Sequence, residues 1–502
     1  MNPFIKKIKT KNHKYIYDVN TNHFLKVDNI VFEIIDDIYE KPNEIIKKWG
    51  NKFNKALLKN SIEKISAAIK KGLFSTGRPT DFKHIFSEKE IKDTLNNALT
   101  HLTLEITQQC NLRCLYCSYS GTFYYKRPHN VQFMKFDTAK KAIDFFLNHS
   151  EESEKLFISF YGGEPLLKFP LIKECVKYIK SKTKNKSIYY SITTNGTLLK
   201  ENEIDFLKKN NFFLTISLDG PNHVNDAYRM FPNGKGTFDK IIKNISIIEN
   251  KKYPFQLIKF NTTIVQDSYL SDQANFFDNL SKEKGYSPNP FFVNKRESNL
   301  NELIKKNPGS LDSSYIKELR SQFKHNLIKK NVNYSPFLKK LFLARLRKIH
   351  NRGNFKSIKG SCSPNGACIP GWEQLFVDSK GDFFICEKMT DFTAIGNVET
   401  GLYLNQIFKI IEAYCEICDV DCIDCWAIRL CKACYVAAKR KKRLDKLQKR
   451  TYCNNMKYNL LSDIKLYLEI LETNPKAFDF LVSERQIEYT KNRLDYMKRK
   501  SI

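Results

Sequence analysis

Between residues 101 and 295, apolar β-rich runs alternate with amphipathic stretches. The runs are HLTLEIT, KLFISFYGG, SIYYSITTNG, FFLTISLDG, LIKFNTTIV and PFFVNK, and helical periodicity starts near Asp137, Phe169, Glu201, Thr237 and Ser268. Alternation of this kind predicts parallel strands joined by crossover helices. Six such units suit an α/β fold built as a partial (β/α)6 barrel, whose mouth is formed by strand ends near Gly163, Asn195 and Asp219.

The flanks read differently. Residues 1–90 open with two short strands, KYIYDV and HFLKVD, around an Asn-rich turn. Three short amphipathic helices follow, the last stopped by Gly72, which together predict a winged-helix-like unit. The barrel is expected over 91–300, a Lys-rich helical bridge over 301–360, a cysteine-dense segment of short strands over 361–455, and a polar helix pair over 456–502.

The length of 502 residues allows two to four domains with real cores. No run of about 18 apolar residues and no signal-peptide pattern is present, so a soluble cytoplasmic protein without membrane contact is expected. The formal charge of +30 comes from Lys spread along the whole chain rather than an Arg-rich patch. That distribution fits an acidic peptide partner better than nucleic acid.

The 14 cysteines change the picture more. In a reducing compartment, clustered cysteines bind metal more often than they pair. Three lie at 110–117, Cys175 stands alone as a small apolar residue of a helix, and ten fall between Cys362 and Cys453. Cys110, Cys114 and Cys117 share one loop after the first barrel strand, with no fourth Cys or His at zinc-finger spacing. Three thiolates on a cubane iron–sulfur cluster leave one iron open to a small molecule.

Cys-x3-Cys-x2-Cys in that position resembles the radical S-adenosylmethionine (SAM) enzymes. The resemblance implies a [4Fe–4S] cluster on Cys110, Cys114 and Cys117 that binds SAM and yields a 5'-deoxyadenosyl radical. It also implies that Gly162, Gly163 and Glu164 of YGGEP hold the SAM amino group. Asn195, Ser217 and Asp219 would lie near its ribose or carboxylate, Arg229 at the carboxylate, and Tyr116 near the adenine. Each of these stretches, taken alone, is also an ordinary strand-ending turn or loop cap.

The later cysteines resemble the SPASM extension of that family, which carries two auxiliary [4Fe–4S] clusters and brings the total to three. By position the first would use Cys362, Cys368, Cys386 and Cys434, and the second Cys422, Cys425, Cys431 and Cys453. Two departures stand out: only two residues separate Cys431 from Cys434, and Cys415 and Cys418 are extra. Glu387 stands where a sulfatase-maturing branch places its catalytic base.

A winged-helix-like unit ahead of such a pair resembles the leader-recognition element of enzymes that modify ribosomal peptides, where a leader strand adds to a sheet edge. CSYSG, RPHN and CIDCWAIRLCKACY are similar to maturases of ranthipeptides and sactipeptides. The resemblance implies a Cys-rich precursor peptide, thioether formation from Cys sulfur to carbon, and a flavodoxin or ferredoxin as electron donor. Carbon–carbon crosslinking, epimerisation, sulfatase formylglycine formation and a non-catalytic iron–sulfur electron carrier stand as alternatives.

Overall fold

The computed structural model describes residues 2–124, 126–183, 186–293, 298–300, 302, 314–329 and 334–481. Residues 301, 303–313 and 330–333 of the expected 301–360 bridge and the tail beyond 481 therefore lie outside the described residues.

The chain opens with three antiparallel strands, β1 (Ile5–Lys9), β2 (Lys14–Asp18) and β3 (His23–Val27), in the order β1-β2-β3. β1 was not legible as a strand because four of the first nine residues are basic or polar and its alternation is weak. Helices α1 (Asn29–Ile34), α2 (Pro42–Trp49) and α3 (Lys55–Lys70) follow. Asp28 and Asn54 cap α1 and α3 by accepting from backbone N–H groups of the first turn. These helices cover one face of the sheet and enclose a small core of Ile16, Phe32, Ile35, Leu58 and Ile65.

The boundary expected at residue 90 falls inside α4 (Glu88–Asn97), which Ser87 and Glu90 start with a reciprocal capping box. Its buried Ile91 and Leu95 belong to the main core, not to the N-terminal one.

Six strands then run parallel in chain order: β4 (His101–Thr107), β5 (Lys155–Gly162), β6 (Ser187–Thr194), β7 (Phe213–Ser217), β8 (Ile258–Ile264) and β9 (Ser287–Phe292). Between them lie α5 (Phe136–Asn148), α6 (Phe169–Lys182), α7 (Glu201–Lys209), the single turn α8 (Asn222–Asn225) with α9 (Phe238–Asn250), and α10 (Leu270–Lys284). Outward side chains such as Leu104, Ile158, Ile192, Leu214 and Phe260 are fully or almost fully buried under these helices. The other face is polar: His101 Nε2 meets Ser159 Oγ at 2.7 Å, and Ser159 meets Ser191 Oγ at 2.6 Å.

The sheet does not stop at six strands. β10 (Leu375–Val377) pairs parallel with β4, and β11 (Asp382–Phe384), β12 (Gly396–Asn397) and β13 (Gly401–Leu402) extend it antiparallel to ten. The cysteine-dense segment thus shares its sheet with the barrel, and residue 361 is no boundary in that sheet. The expected tail pair is, among the described residues, one long helix, Lys446–Thr473, which begins early enough to carry Cys453.

Candidate functional site

The loop after β4 carries Cys110, Cys114 and Cys117 and is pinned from two sides. Arg113 N donates to Met230 O at 2.8 Å and Leu115 N to Tyr228 O at 2.9 Å. Gly163 N donates to Thr107 O at 2.8 Å and Glu164 N to Gln109 O at 2.9 Å. A Cβ on Gly162, at φ +140, or on Gly163 would run into the carbonyls of Thr107 and Gln109. The two glycines are therefore needed for the end of β5 to lie against the cysteine loop.

Burial raises all three thiols, Cys110 to about 12 and Cys117 to about 11, with Cys114 shifted the same way. Held as free thiols they stay protonated near neutrality, so metal binding releases their protons. Cys110 Sγ accepts from Leu112 N at 3.4 Å and has Asn195 Nδ2 at 3.9 Å. Cys117 Sγ accepts from Tyr119 N at 3.4 Å and lies 3.7 Å from His129 Nε2, an imidazole that the reading of zinc-finger spacings missed. Burial holds His129 below its ordinary range, so its ring is neutral near pH 7. Among the described residues no three His, Cys, Asp or Glu side chains converge as a single-ion site requires.

Glu164 is fully buried and turned into the protein. It accepts from Thr194 Oγ1 and Asn195 N at 2.7 Å and from Leu166 N at 3.1 Å. Burial outweighs these donors and pushes the carboxyl up to about 7. Its side chain joins the ends of β5 and β6, which leaves backbone at Gly162–Gly163 as the part open to a ligand. Asn195 donates through Nδ2 to Asn111 Oδ1 at 2.8 Å and accepts from Thr197, facing the cysteine loop. Ser217 ends β7 half-buried, on the same polar face.

Opposite, Arg229 Nη1 donates to Tyr116 Oη at 2.7 Å, and Tyr116 donates to Asp219 Oδ2 at 2.5 Å. Asp219 is held by Thr263 N at 2.8 Å. Burial raises Asp219, and the Arg229 guanidinium opposes it. Arg229 Nε is buried with no acceptor among the described residues. Arg229 also acts on the Cys114 thiol. An orphaned cationic donor beside the cysteine loop fits an anionic group such as a carboxylate.

The far wall comes from the cysteine-rich segment. Glu387 accepts from Gln374 Nε2 at 2.9 Å, and its carboxylate acts on His101 and Tyr161 of the polar face. Lys126, from the cysteine loop, and Lys439 both reach Asp391 Oδ1 at 2.5 Å and donate to Lys388 O, which fixes the turn carrying Glu387. Arg127 pairs with the buried Glu105, whose other oxygen accepts from Gln108 Nε2 at 2.8 Å and Ser379 N at 3.3 Å. The pairings of Lys126 with Asp391 and of Ser379 with Glu105 were not legible, since each joins segments more than 260 residues apart in the chain.

Cys368, Cys386 and Cys434 gather behind that wall. Burial pushes Cys368 to about 12 and Cys386 to about 11, and the Cys434 sulfur adds to both. The Cys362–Cys368 loop lies against residues 432–433, where Gly366 leaves no room for a Cβ. Cys362 itself is held by backbone bonds to Asp81 and Lys83, and the charges acting on it are Arg429 and Asp81. Cys422, Cys425, Cys431 and Cys453 form a second group in which each thiol is affected by others of the set or by Lys449. The Cys418 thiol is acted on by Cys422, one helical turn on, whereas the charges on Cys415 are Asp419, Glu412 and Glu416.

Residues 104–269 match the radical SAM superfamily. A cysteine-type anaerobic sulfatase-maturating enzyme of Clostridium novyi (strain NT) is 28% identical over 357 residues, 67% of this chain and 87% of its own. Native anSMEcpe with bound AdoMet is similar in structure at TM-score 0.55 and 21% identity, over 76% of this chain and 99% of its own. The same protein with AdoMet and the Cp18Cys peptide gives TM-score 0.53 and 22% identity over the same shares. At these identities the structural likeness establishes the fold. No helix among the described residues is long and apolar enough to cross a membrane.

Proposed function

From a radical SAM domain across residues 104–269, we propose an enzyme that modifies a ribosomally made, Cys-rich peptide by joining Cys sulfur to carbon in thioether crosslinks. SAM and a [4Fe–4S] cluster, when bound, supply one-electron hydrogen-abstraction chemistry. Cys110, Cys114 and Cys117 hold the cluster. Arg229, Asn195, Ser217, Asp219, Tyr116 and the Gly162–Gly163–Glu164 backbone hold SAM. Cys362, Cys368, Cys386 and Cys434, with Cys422, Cys425, Cys431 and Cys453, hold two auxiliary clusters, and a flavodoxin or ferredoxin supplies electrons to the enzyme. Glu387 takes a proton from the substrate.

The observation that carries the peptide reading is the N-terminal sheet, which lies before the family match and ends in the edge strand β3. Arg429 anchors it to the cysteine-rich segment through the carbonyls of Val19 and Asn20, and Tyr17 meets Trp426 edge-on at 6.4 Å. A leader strand added to β3 would be steered by the Lys-rich surface and would deliver its core to the polar face of the barrel. The likeness to a sulfatase-maturating enzyme favours formylglycine formation as the second reading.

Reconstituted full-length chain, given SAM, a reductant and the Cys-rich peptide encoded beside its gene, is expected to yield a product lacking two hydrogens per crosslink, with thiols no longer alkylatable. The same loss with alkylatable thiols means a carbon–carbon bond, and no change in mass means epimerisation. An aldehyde in place of a thiol establishes the second reading. Absence of 5'-deoxyadenosine leaves a non-catalytic iron–sulfur protein.

A further inference from the structure

Lys449 sits in the first turn of the helix Lys446–Thr473, four residues before Cys453 and on the same face. It is 1% exposed, yet no carboxylate pairs with it among the described residues. The partner of its Nζ is Cys422 Sγ at 3.0 Å. The nearest acid in sequence to that sulfur, Asp421, is taken by Arg450 at 2.7 Å, and Asp445 caps the helix through Gln448 N. A buried ammonium is costly unless a negative charge answers it. Among the described residues the chemistry at hand to do so is sulfur, and the neighbouring thiols of Cys418, Cys425 and Cys453 supply more of it.

We infer that Lys449 is a positioning residue that sets the reduction potential of the second auxiliary cluster, by donating to the sulfur of its ligand Cys422. The inference rests on the reading that Cys422, Cys425, Cys431 and Cys453 are ligands. Hydrogen bonds to ligand sulfur and local positive charge favour the reduced, more negative form of an iron–sulfur cluster. The step is uptake of one electron from a reduced flavodoxin- or ferredoxin-class donor, with no bond made or broken and the Lys449 proton retained.

The test is a dithionite redox titration of reconstituted full-length chain, followed by electron paramagnetic resonance with iron counted per chain. Lys449→Met is expected to keep wild-type iron while the midpoint of one cluster falls by at least about 59 mV, a tenfold loss in its one-electron reduction constant. Lys449→Arg should return most of that shift. An unmoved midpoint at full iron content overturns the inference alone. So does equal loss of iron in both Lys449→Met and Lys449→Arg, which would make the residue purely structural. Cys425→Ala/Cys431→Ala checks the reading beneath: wild-type iron in that variant removes both together.

Discussion

Tyr116 is the hinge between two opposite charges. It receives a hydrogen bond from Arg229 at 2.7 Å and gives one to Asp219 at 2.5 Å, and both of these charged partners are buried, with Arg229 acting on Cys114. Tyr116→Phe leaves Asp219 short of a donor and Arg229 with a second unanswered N–H. Leaving buried polar groups unpaired costs about 1–3 kcal/mol. Thermal unfolding of the apo chain should fall accordingly, and SAM affinity, read by equilibrium dialysis of the reconstituted protein, should weaken about tenfold for each 1.4 kcal/mol lost from the pocket.

Gly162 and Gly163 invite a backbone test. A methyl at either position meets a carbonyl oxygen rather than a flexible side chain, and at Gly162 the φ of +140 adds strain. Gly162→Ala or Gly163→Ala should therefore displace the cysteine loop and cost about 1–3 kcal/mol. Iron bound at Cys110, Cys114 and Cys117 should drop while the auxiliary cysteines keep theirs. The comparison with a Cys110→Ala/Cys114→Ala/Cys117→Ala protein shows which iron was lost.

The cysteine loop, the strand ends and the order of the six parallel strands were legible because each is written in a short window: a spacing of thiols, a run of β-branched residues, a turn with Gly. What no window contains is partnership. Glu164 resembles a ligand-binding acid in its motif, yet its carboxylate is consumed by Thr194, Asn195 and Leu166. The pairing of β10 with β4 joins residues some 270 apart, and nothing in LFV announces that it extends the barrel sheet. Lys126, Asp391 and Lys439 likewise meet only in three dimensions. Lys449 was within reach of the sequence, since a Lys one helical turn before Cys453 shares its face.

Arg429 gives a prediction about the N-terminal unit. Its guanidinium serves the carbonyls of Val19, Asn20 and Lys356 at 3.2–3.4 Å, bridging two segments that the Arg78–Asp424 ion pair and the backbone bonds of Cys362 to Asp81 and Lys83 also join. Each such bond is worth about 1 kcal/mol. Arg429→Met should speed hydrogen exchange in β2 and raise KM for a leader-bearing precursor, with kcat little changed. An equal fall in kcat would tie Arg429 to the chemistry instead.

Glu164 supplies a pH dependence. Burial holds its carboxyl at about 7 in the folded chain against 4.5 ordinarily, so the folded state binds the proton more tightly than the unfolded one. The stability this contributes is complete below pH 4.5 and is lost as pH rises through 7. Glu164→Gln cannot ionise and lacks that slope. The unfolding free energy of the apo wild type should thus fall relative to Glu164→Gln by about 3 kcal/mol across that window, because a tenfold change in proton affinity is worth about 1.4 kcal/mol. A flat difference would mean that the three donors keep the carboxylate ionised throughout.

Glu387 separates substrate chemistry from the cleavage of SAM. Its carboxylate is held by Gln374 on one oxygen, faces the polar side of the sheet, and rides on a turn clamped by Lys126 and Lys439. That turn follows Cys386 directly, so a base there would stand between the auxiliary cysteines and the barrel. Glu387→Gln keeps the shape and the reach of the side chain but cannot accept a proton. Removal of a general base typically costs about 10²–10⁴ in rate. Peptide product should therefore fall by at least about 10², while SAM is still cleaved and 5'-deoxyadenosine accumulates without matching product. If both products fall together, Glu387 shapes the pocket for SAM. If neither falls, the proton leaves to another group, and Glu387 serves only to anchor Gln374 at the start of β10.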